Sequence, residues 1–314
     1  MNKFVRQVLP FASLILIICA LSALRPEDFP TRSNFLNVLR RSSVNGIMAV
    51  GMTAVIISGG IDLSVGSMLA LAGMAGAWTM LKMGGDVGAV AMAAGTAAGI
   101  GVGMLCGLLN GALITKLKLP PFIVTLGTMS AFRGVAYVMN AGEPYNVSAY
   151  TYLGVGALLG VPVSVLIFAA IVVLASLLLR YTRLGRYTYA IGSNRQAAFH
   201  AGINVDRNLL AVYTLTGLTV GIAAMIATSR TVSAQPTAGV GLELDIIAAV
   251  IIGGASLSGG RGTILGTIIG TLLIGFLRNG CTLVGISTEV QFIVIGAVII
   301  IAVAVDQLAR AKAE

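Results

Sequence analysis

The chain has 314 residues, of which 57% are hydrophobic and only 10% are charged. Soluble domains carry about 25% charged residues, so this composition excludes the ordinary globular class. The net charge of +9 does not indicate nucleic-acid binding, because most Lys and Arg lie in short loops between apolar runs, where they orient a membrane protein.

Apolar runs of about 20 residues predict an all-α, polytopic transmembrane helical bundle with about ten spans. We treat residues 1–314 as a single transmembrane domain. The first run resembles a signal peptide, but its length and its poor cleavage sequence favour a retained helix. Alternation from a cytoplasmic N-terminus places the C-terminus in the cytoplasm as well. The predicted spans lie near residues 8–24, 44–61, 65–82, 87–115, 121–139, 161–180, 209–229, 246–260, 263–280 and 289–306.

The segment from Arg25 to Arg41 falls outside the membrane on this count, although it carries four arginines. Ser33 or Asn34 is placed to cap a short helix with one apolar side. We therefore expect a helix that lies in the outer membrane interface.

Glycine is unusually frequent: 40 of the 314 residues are glycine, about 13%, where the average is about 7%. Five glycines in the fourth run are spaced four residues apart, which puts them on one helix face and lets another backbone approach closely. This stripe is either a static packing surface, which we favour, or a surface along which helices slide. Its members are Gly95, Gly99, Gly103, Gly107 and Gly111.

The sequence from Gly59 to Gly66 recurs from Gly253 to Gly260, with five of eight positions identical. Each copy ends one apolar run and precedes another, and its glycine and serine residues predict an interrupted helix. Interrupted helices in corresponding halves point to a transport path. Both copies face the cytoplasm on our count, which favours a parallel repeat, whereas one missed span would make it inverted. The candidate path residues are Gly59, Gly60, Asp62, Ser64, Gly253, Gly254, Ser256 and Ser258.

Few charged residues fall at membrane depth. Asp62 either lines a polar path or caps the helix that begins near Ser64, and we favour the cap. Arg133 is expected to extend toward the outer interface. Three carboxylates in outer loops are candidate docking residues for another protein: Glu143, Glu243 and Asp245.

The sequence does not predict an enzyme. Residues 257–261, LSGGR, resemble the signature loop of an ABC ATPase, but no phosphate-binding loop of the form G-x-x-x-x-G-K-[ST] occurs. The single histidine, His200, and three unpaired cysteines form neither a catalytic group nor a metal site.

The longest polar interruption, residues 180–208, carries five arginines and one acid, Asp206. Such a basic loop is predicted to be cytoplasmic. It contains a small-residue helix, Gln196-Ala197-Ala198, with Gly202 beyond it. Small residues permit close approach of a partner protein, although a solvated basic loop is the alternative.

In chain order, these segments resemble the permease subunits of bacterial ABC importers for monosaccharides, the ribose-type branch of the binding-protein-dependent transport family. The resemblance covers nearly the whole chain and is more specific to the family than to the sugar. It is strongest in residues 43–53, 59–73, 182–187, 202–205, 233–239 and 253–270.

The resemblance implies a permease dimer in the bacterial inner membrane, which we expect to join two identical copies. Its implied partners are two cytoplasmic ABC ATPase subunits, which hold ATP and Mg²⁺, and a periplasmic sugar-binding protein. This chain itself is expected to hold no cofactor. An ion-coupled secondary carrier is the alternative function, and it would need more buried acids than this chain offers.

Importers of this family carry an E-A-A…G pattern in a coupling helix that docks on the ATPase. Here Gln196 replaces the glutamate, which removes one charge from the implied contact. The coupling residues by this resemblance are Arg195, Gln196, Ala197, Ala198, Gly202 and Ile203.

Overall fold

The computed structural model describes residues 3–84 and 88–311, so both termini, expected in the cytoplasm, lie outside the described residues. The described chain is helical apart from four strands of two residues each, which confirms the all-α prediction. The helices are α1 (Lys3–Leu24), α2 (Arg32–Ile57), α3 (Val65–Lys82), α4 (Ala89–Lys116), α5 (Pro121–Val138), α6 (Tyr152–Val155), α7 (Val163–Tyr181), α8 (Arg183–Ser193), α9 (Arg195–His200), α10 (Val205–Thr231), α11 (Leu242–Ile252), α12 (Ile264–Leu283) and α13 (Thr288–Ala311). The strands are β1 (Tyr145–Asn146), β2 (Ala157–Leu158), β3 (Val161–Pro162) and β4 (Ser233–Ala234).

Each predicted apolar run overlaps a helix, but the helices differ in their capacity to span a membrane. Five of the described helices, α4, α5, α7, α10 and α12, are long and apolar enough to cross one. Helix α11 has 11 residues, or about 16 Å of helix, against a hydrocarbon core of about 30 Å. The predicted span at 246–260 is therefore wrong in its second half, and the number of ten spans stays a prediction.

Helix α2 is continuous from Arg32 to Ile57. The prediction of a separate interfacial helix before residue 41 is therefore wrong. The helix begins after Thr31, whose hydroxyl accepts a hydrogen bond from the backbone N–H of Asn34 at 3.2 Å. Val38 is buried, and the ring of Phe35 lies 5.1 Å from that of Phe276 in α12. Packing against α12 thus stabilises the helical conformation of the arginine-rich N-terminal turns of α2.

Helix α10 lies at the centre of the bundle, in contact with α2, α3 and α4. The core around it is rich in methionine, whose flexible thioether side chain fills irregular space between helices. The fully buried methionines are Met48, Met52, Met68, Met74, Met80 and Met225.

The five glycines of the α4 stripe are buried and face α3 and α10. A Cβ added at Gly107 would overlap the main-chain carbonyl oxygen of Tyr213, and one added at Gly103 would lie 2.6 Å from the carbonyl oxygen of Gly217. Gly217 in turn has no room for a Cβ beside Gly103. The stripe therefore brings the backbones of α4 and α10 into direct contact.

Candidate functional site

The polar segment 180–208 folds into two short helices, α8 and α9, between α7 and α10. The side-chain oxygen of Asn194 accepts a hydrogen bond from the backbone N–H of Ala197 at 2.9 Å and so begins α9. Gly202 ends it with a φ of +80°, a conformation that favours glycine. The small-residue helix predicted from the sequence is present, with both ends fixed by local hydrogen bonding.

The two faces of α9 differ in what they contact. Ala198 is buried and packs with Ile191 and Leu209, so it anchors α9 to its own protein. Gln196 is exposed, and Phe199 has 67% of its surface exposed. The coupling residues predicted from the sequence therefore lie on two different faces of α9. Ala198 is on the buried face, so its replacement would disturb the fold and not an exposed surface.

Phe199 is the residue of this site that sequence reasoning missed. Its ring lies 5.7 Å from that of His200, and both line a groove of about 850 Å³ together with Lys118 and Gln196. An exposed aromatic side chain in a basic loop is the signal that was available, because aromatic residues are enriched at protein interfaces.

The charges around α9 are weakly constrained. Arg195 lies 3.9 Å from Asp206, with both side chains more than half exposed. Exposed ion pairs of this kind contribute little stability, about 0–1 kcal/mol. Arg195 therefore remains accessible to an acidic group of another protein.

The two helix breaks contact each other and the C-terminal end of α8. We call this cluster of contacts the glycine junction, which consists of Gly59, Gly192, Gly259 and Gly260. The backbone N–H of Gly260 donates to the carbonyl oxygen of Ile57 at 2.8 Å. A Cβ added at Gly192 would overlap that same oxygen, and one added at Gly259 would lie 3.0 Å from the Cα of Gly59. Both copies of the repeated sequence thus lie at the same end of the bundle, as the span count predicts.

Tyr189 adds a second contact between α8 and the later helix break. Its hydroxyl donates to the carbonyl oxygen of Gly262 at 2.8 Å. Burial raises the pKa of Tyr189 above its ordinary value, so the hydroxyl keeps its proton and remains a donor. Helix α8 is therefore bonded to the segment that separates α11 from α12.

In the first helix break, Asp62 is fully buried. One carboxylate oxygen accepts from the backbone N–H of Ser64 at 2.9 Å and from its hydroxyl at 2.6 Å, immediately before α3. Asn110 of α4 donates to the Ser64 hydroxyl oxygen at 2.8 Å. Asp62 thus binds Ser64, the residue that precedes α3, and not an N–H of the first turn, so the capping role stays a prediction. Its burial places Asp62 inside the packed core.

The second helix break lacks an equivalent carboxylate. Ser256 occupies the position of Asp62 in the repeat, and its buried hydroxyl has no hydrogen-bond partner among the described residues. Gly254 adopts a φ of +90° just after α11, and Ser258 is exposed. The two copies share a turn but differ in their polar contacts.

At the opposite end of α10, the predicted docking carboxylates do not form one surface. Glu143 is exposed, Glu243 is half-buried, and Asp245 is buried. Both oxygens of Asp245 accept hydrogen bonds from Arg278, at 2.9 and 3.0 Å. Asp245 therefore joins α11 to α12 and offers no exposed carboxylate.

The loops that follow α5 and α10 are joined by backbone pairing. Strand β1 pairs with β4, so Tyr145 lies opposite Ala234. Arg133, expected to extend toward the interface, instead donates to the carbonyl oxygens of Pro236 and Ala238, both at 2.6 Å. The loop after α5 and the loop after α10 are thus held as one unit.

Residues 34–303 match the protein family described as "Branched-chain amino acid transport system / permease component". No solved structure matches the chain.

Curated relatives match nearly the whole chain. It is 48% identical over 302 residues to the ribose import permease protein of Bacillus subtilis (strain 168), covering 95% of this chain and 92% of that protein. It is 45% identical over 301 residues to the ribose import permease protein of Escherichia coli (strain K12), covering 94% and 91%. It is 38% identical over 300 residues to the D-allose transport system permease protein of the same strain, covering 95% and 90%.

Proposed function

The chain belongs to the ribose-type permease family of ABC importers, and on this premise we propose that it forms the membrane path for a ribose-like monosaccharide. It is a transport subunit rather than an enzyme, and a multi-pass inner-membrane protein. Ribose permeases at 45% and 48% identity favour a sugar over the branched-chain amino acid in the family's description.

The observation that carries the proposed coupling to a partner is the two-sided helix α9. Its inner side is anchored through Ala198, and its outer side presents Phe199 beside a groove. A rigid helix with an exposed aromatic residue suits docking, because little conformational entropy is lost when it binds. Helix α8, which precedes it, contacts both helix breaks through the glycine junction.

The proposed mechanism follows from these contacts. Two cytoplasmic ATPase subunits bind ATP with Mg²⁺ and close on each other, which moves the α9 helices of a permease homodimer. Helix α8 transmits this movement to both helix breaks, and the bundle opens toward a periplasmic sugar-binding protein. The segment 180–208 is thus the coupling loop of a single permease domain, with the termini in the cytoplasm.

Reconstitution tests this function. We expect D-ribose uptake into proteoliposomes that contain this chain, its ATPase and its binding protein, with dependence on internal ATP and insensitivity to a protonophore. Uptake by this chain alone, driven by an ion gradient, would contradict the importer proposal and favour a secondary carrier.

Replacement of Phe199 by alanine is expected to weaken ATPase binding by about tenfold or more, because exposed aromatic residues dominate interface energies. The measurement is ATPase retention on the purified permease, together with D-ribose uptake. Tyr152→Ala is the matched control, since Tyr152 is 61% exposed in α6, at the opposite end of α10. Equal ATPase binding by the two variants would remove α9 as the docking element.

A further inference from the structure

A cavity of about 690 Å³ lies at the end of the bundle opposite α8 and α9. It is partly open and is lined by α2, α3, the last turn of α10, the loop 233–241, the first turn of α11, and single residues of α12 and α13. Helix α10 has 27 residues, so it separates this cavity from α9 by about 40 Å. The volume falls within the range of small-molecule sites, about 300–1,000 Å³.

The cavity wall is rich in hydrogen-bond donors that lack acidic partners. Arg41 and Arg230 line it, and neither forms a salt bridge within the described part of the chain. Arg41 and Arg40 lie close enough to Arg230 to repel its charge. Each guanidinium offers five N–H donors and no acceptor, so the wall is suited to a ligand with several acceptor oxygens.

Neutral polar groups complete this wall. Asn45 is half-buried beside Arg41 in α2, and its carboxamide both donates and accepts. The hydroxyl of Ser233 is buried without a hydrogen-bond partner among the described residues. A ligand that carries adjacent hydroxyl groups satisfies groups of both kinds, because each hydroxyl donates one hydrogen bond and accepts others.

The carboxylate that lines this cavity is already paired with an arginine. Asp245 is the one carboxylate among the described lining residues, and Arg278 binds both of its oxygens. The ammonium group of an amino acid would therefore enter beside guanidinium groups with no free counter-charge. This arrangement disfavours amino acids and favours neutral or anionic sugars.

Apolar side chains also line this cavity. Val44, Leu69 and Leu242 line it, and the ring of Phe292 lies 5.4 Å from the guanidinium carbon of Arg278. A sugar ring presents C–H groups between its hydroxyls, and these pack against aliphatic and aromatic side chains. The cavity therefore offers both polar and apolar contacts to the same ligand.

We propose that this cavity is a monosaccharide-binding site on the translocation path, in which Arg41, Asn45 and Arg230 hydrogen-bond the sugar hydroxyls. The proposal rests on the proposed transport function and adds a site to it. It also gives the permease its own selection against amino acids, beyond that of a binding protein.

The test measures binding of radiolabelled D-ribose to the permease–ATPase complex in nanodiscs, without a binding protein. We expect saturable binding that unlabelled D-allose reduces and L-leucine does not. Arg230→Met should weaken it by about tenfold or more, as expected for loss of a charged hydrogen-bond donor. Arg32→Met is the matched control, because Arg32 is an exposed arginine of α2 outside the cavity lining.

Asn45→Ala is the second variant, and it decides the outcome if Arg230→Met fails to purify as folded protein. Unchanged D-ribose binding in the folded cavity variants, while the wild-type complex still imports ribose, would overturn the site and leave the transport function intact. Reduced uptake with unchanged direct binding would assign these side chains to the binding-protein contact and also overturn it. Competition by L-leucine equal to that by D-allose would contradict the proposed selectivity.

Discussion

Replacement of Gly107 by leucine is expected to prevent α4 from packing on α10 and to leave little folded permease. Even one methyl group at this position overlaps the carbonyl oxygen of Tyr213, and the neighbouring atoms are backbone rather than flexible side chain. Since the backbone of a central helix cannot move aside cheaply, we expect a destabilisation of about 3 kcal/mol or more. The measurement is the yield and thermal unfolding of the detergent-solubilised protein.

Gly101→Leu is the matched control on the same helix. A Cβ at Gly101 meets nothing within 4 Å, so leucine there should be neutral or slightly stabilising through its higher helix propensity. Equal melting temperatures of the two variants would contradict the close backbone contact.

A smaller change, Gly103→Ala, tests the alternative that helices slide along the glycine stripe. Folded protein that binds its ATPase but transports poorly would indicate movement along the stripe.

Replacement of Gly192 by alanine is expected to uncouple ATP hydrolysis from transport. The added methyl group would overlap the carbonyl oxygen of Ile57 and lie 2.6 Å from the backbone nitrogen of Gly260, so α8 must separate from both helix breaks. Helix α9 keeps its own caps and its exposed Phe199, so ATPase binding should persist. We expect D-ribose uptake to fall by about tenfold or more, in line with an overpacking cost of about 1–3 kcal/mol at the contact.

The measurement compares ATP hydrolysis with uptake in the same proteoliposomes. Gly127→Ala is the control, because a Cβ at Gly127 of α5 has open space around it. Normal uptake by Gly192→Ala would show that the glycine junction does not transmit the movement. Loss of ATPase binding together with uptake would place the defect in α9 instead.

Much of the fold could be predicted because membrane insertion is a local property. A run of apolar residues predicts its own helix, and a basic loop predicts its own side of the bilayer. Helix α9 was predictable for the same reason, since Asn194 and Gly202, which fix its ends, lie within nine residues of each other. The positions of the two helix breaks were likewise evident from their glycine pairs.

The remaining features depend on contacts between distant parts of the chain. Hydropathy placed the start of the second span at residue 44, after Arg41, but α2 begins at Arg32, where Phe35 packs against Phe276. Asp245 looked like an exposed acid until Arg278, 33 residues later, was seen to bind it. Ala198 was assigned to the partner contact from the family's sequence pattern, which does not show that this side chain packs inward against Ile191 and Leu209.

Helix α10 combines two kinds of contact that differ in stiffness. Toward α4 its backbone contacts the backbone at Gly103 and Gly107 directly, so no side chain can rearrange at this contact. One to two turns further along, the buried thioether of Met225 lies between Gly76 and Gly99, where the contact is made by a flexible side chain instead of backbone. We therefore expect any rotation of α10 during transport to turn about the glycine contacts, while the Met225 side chain adjusts and keeps the core filled.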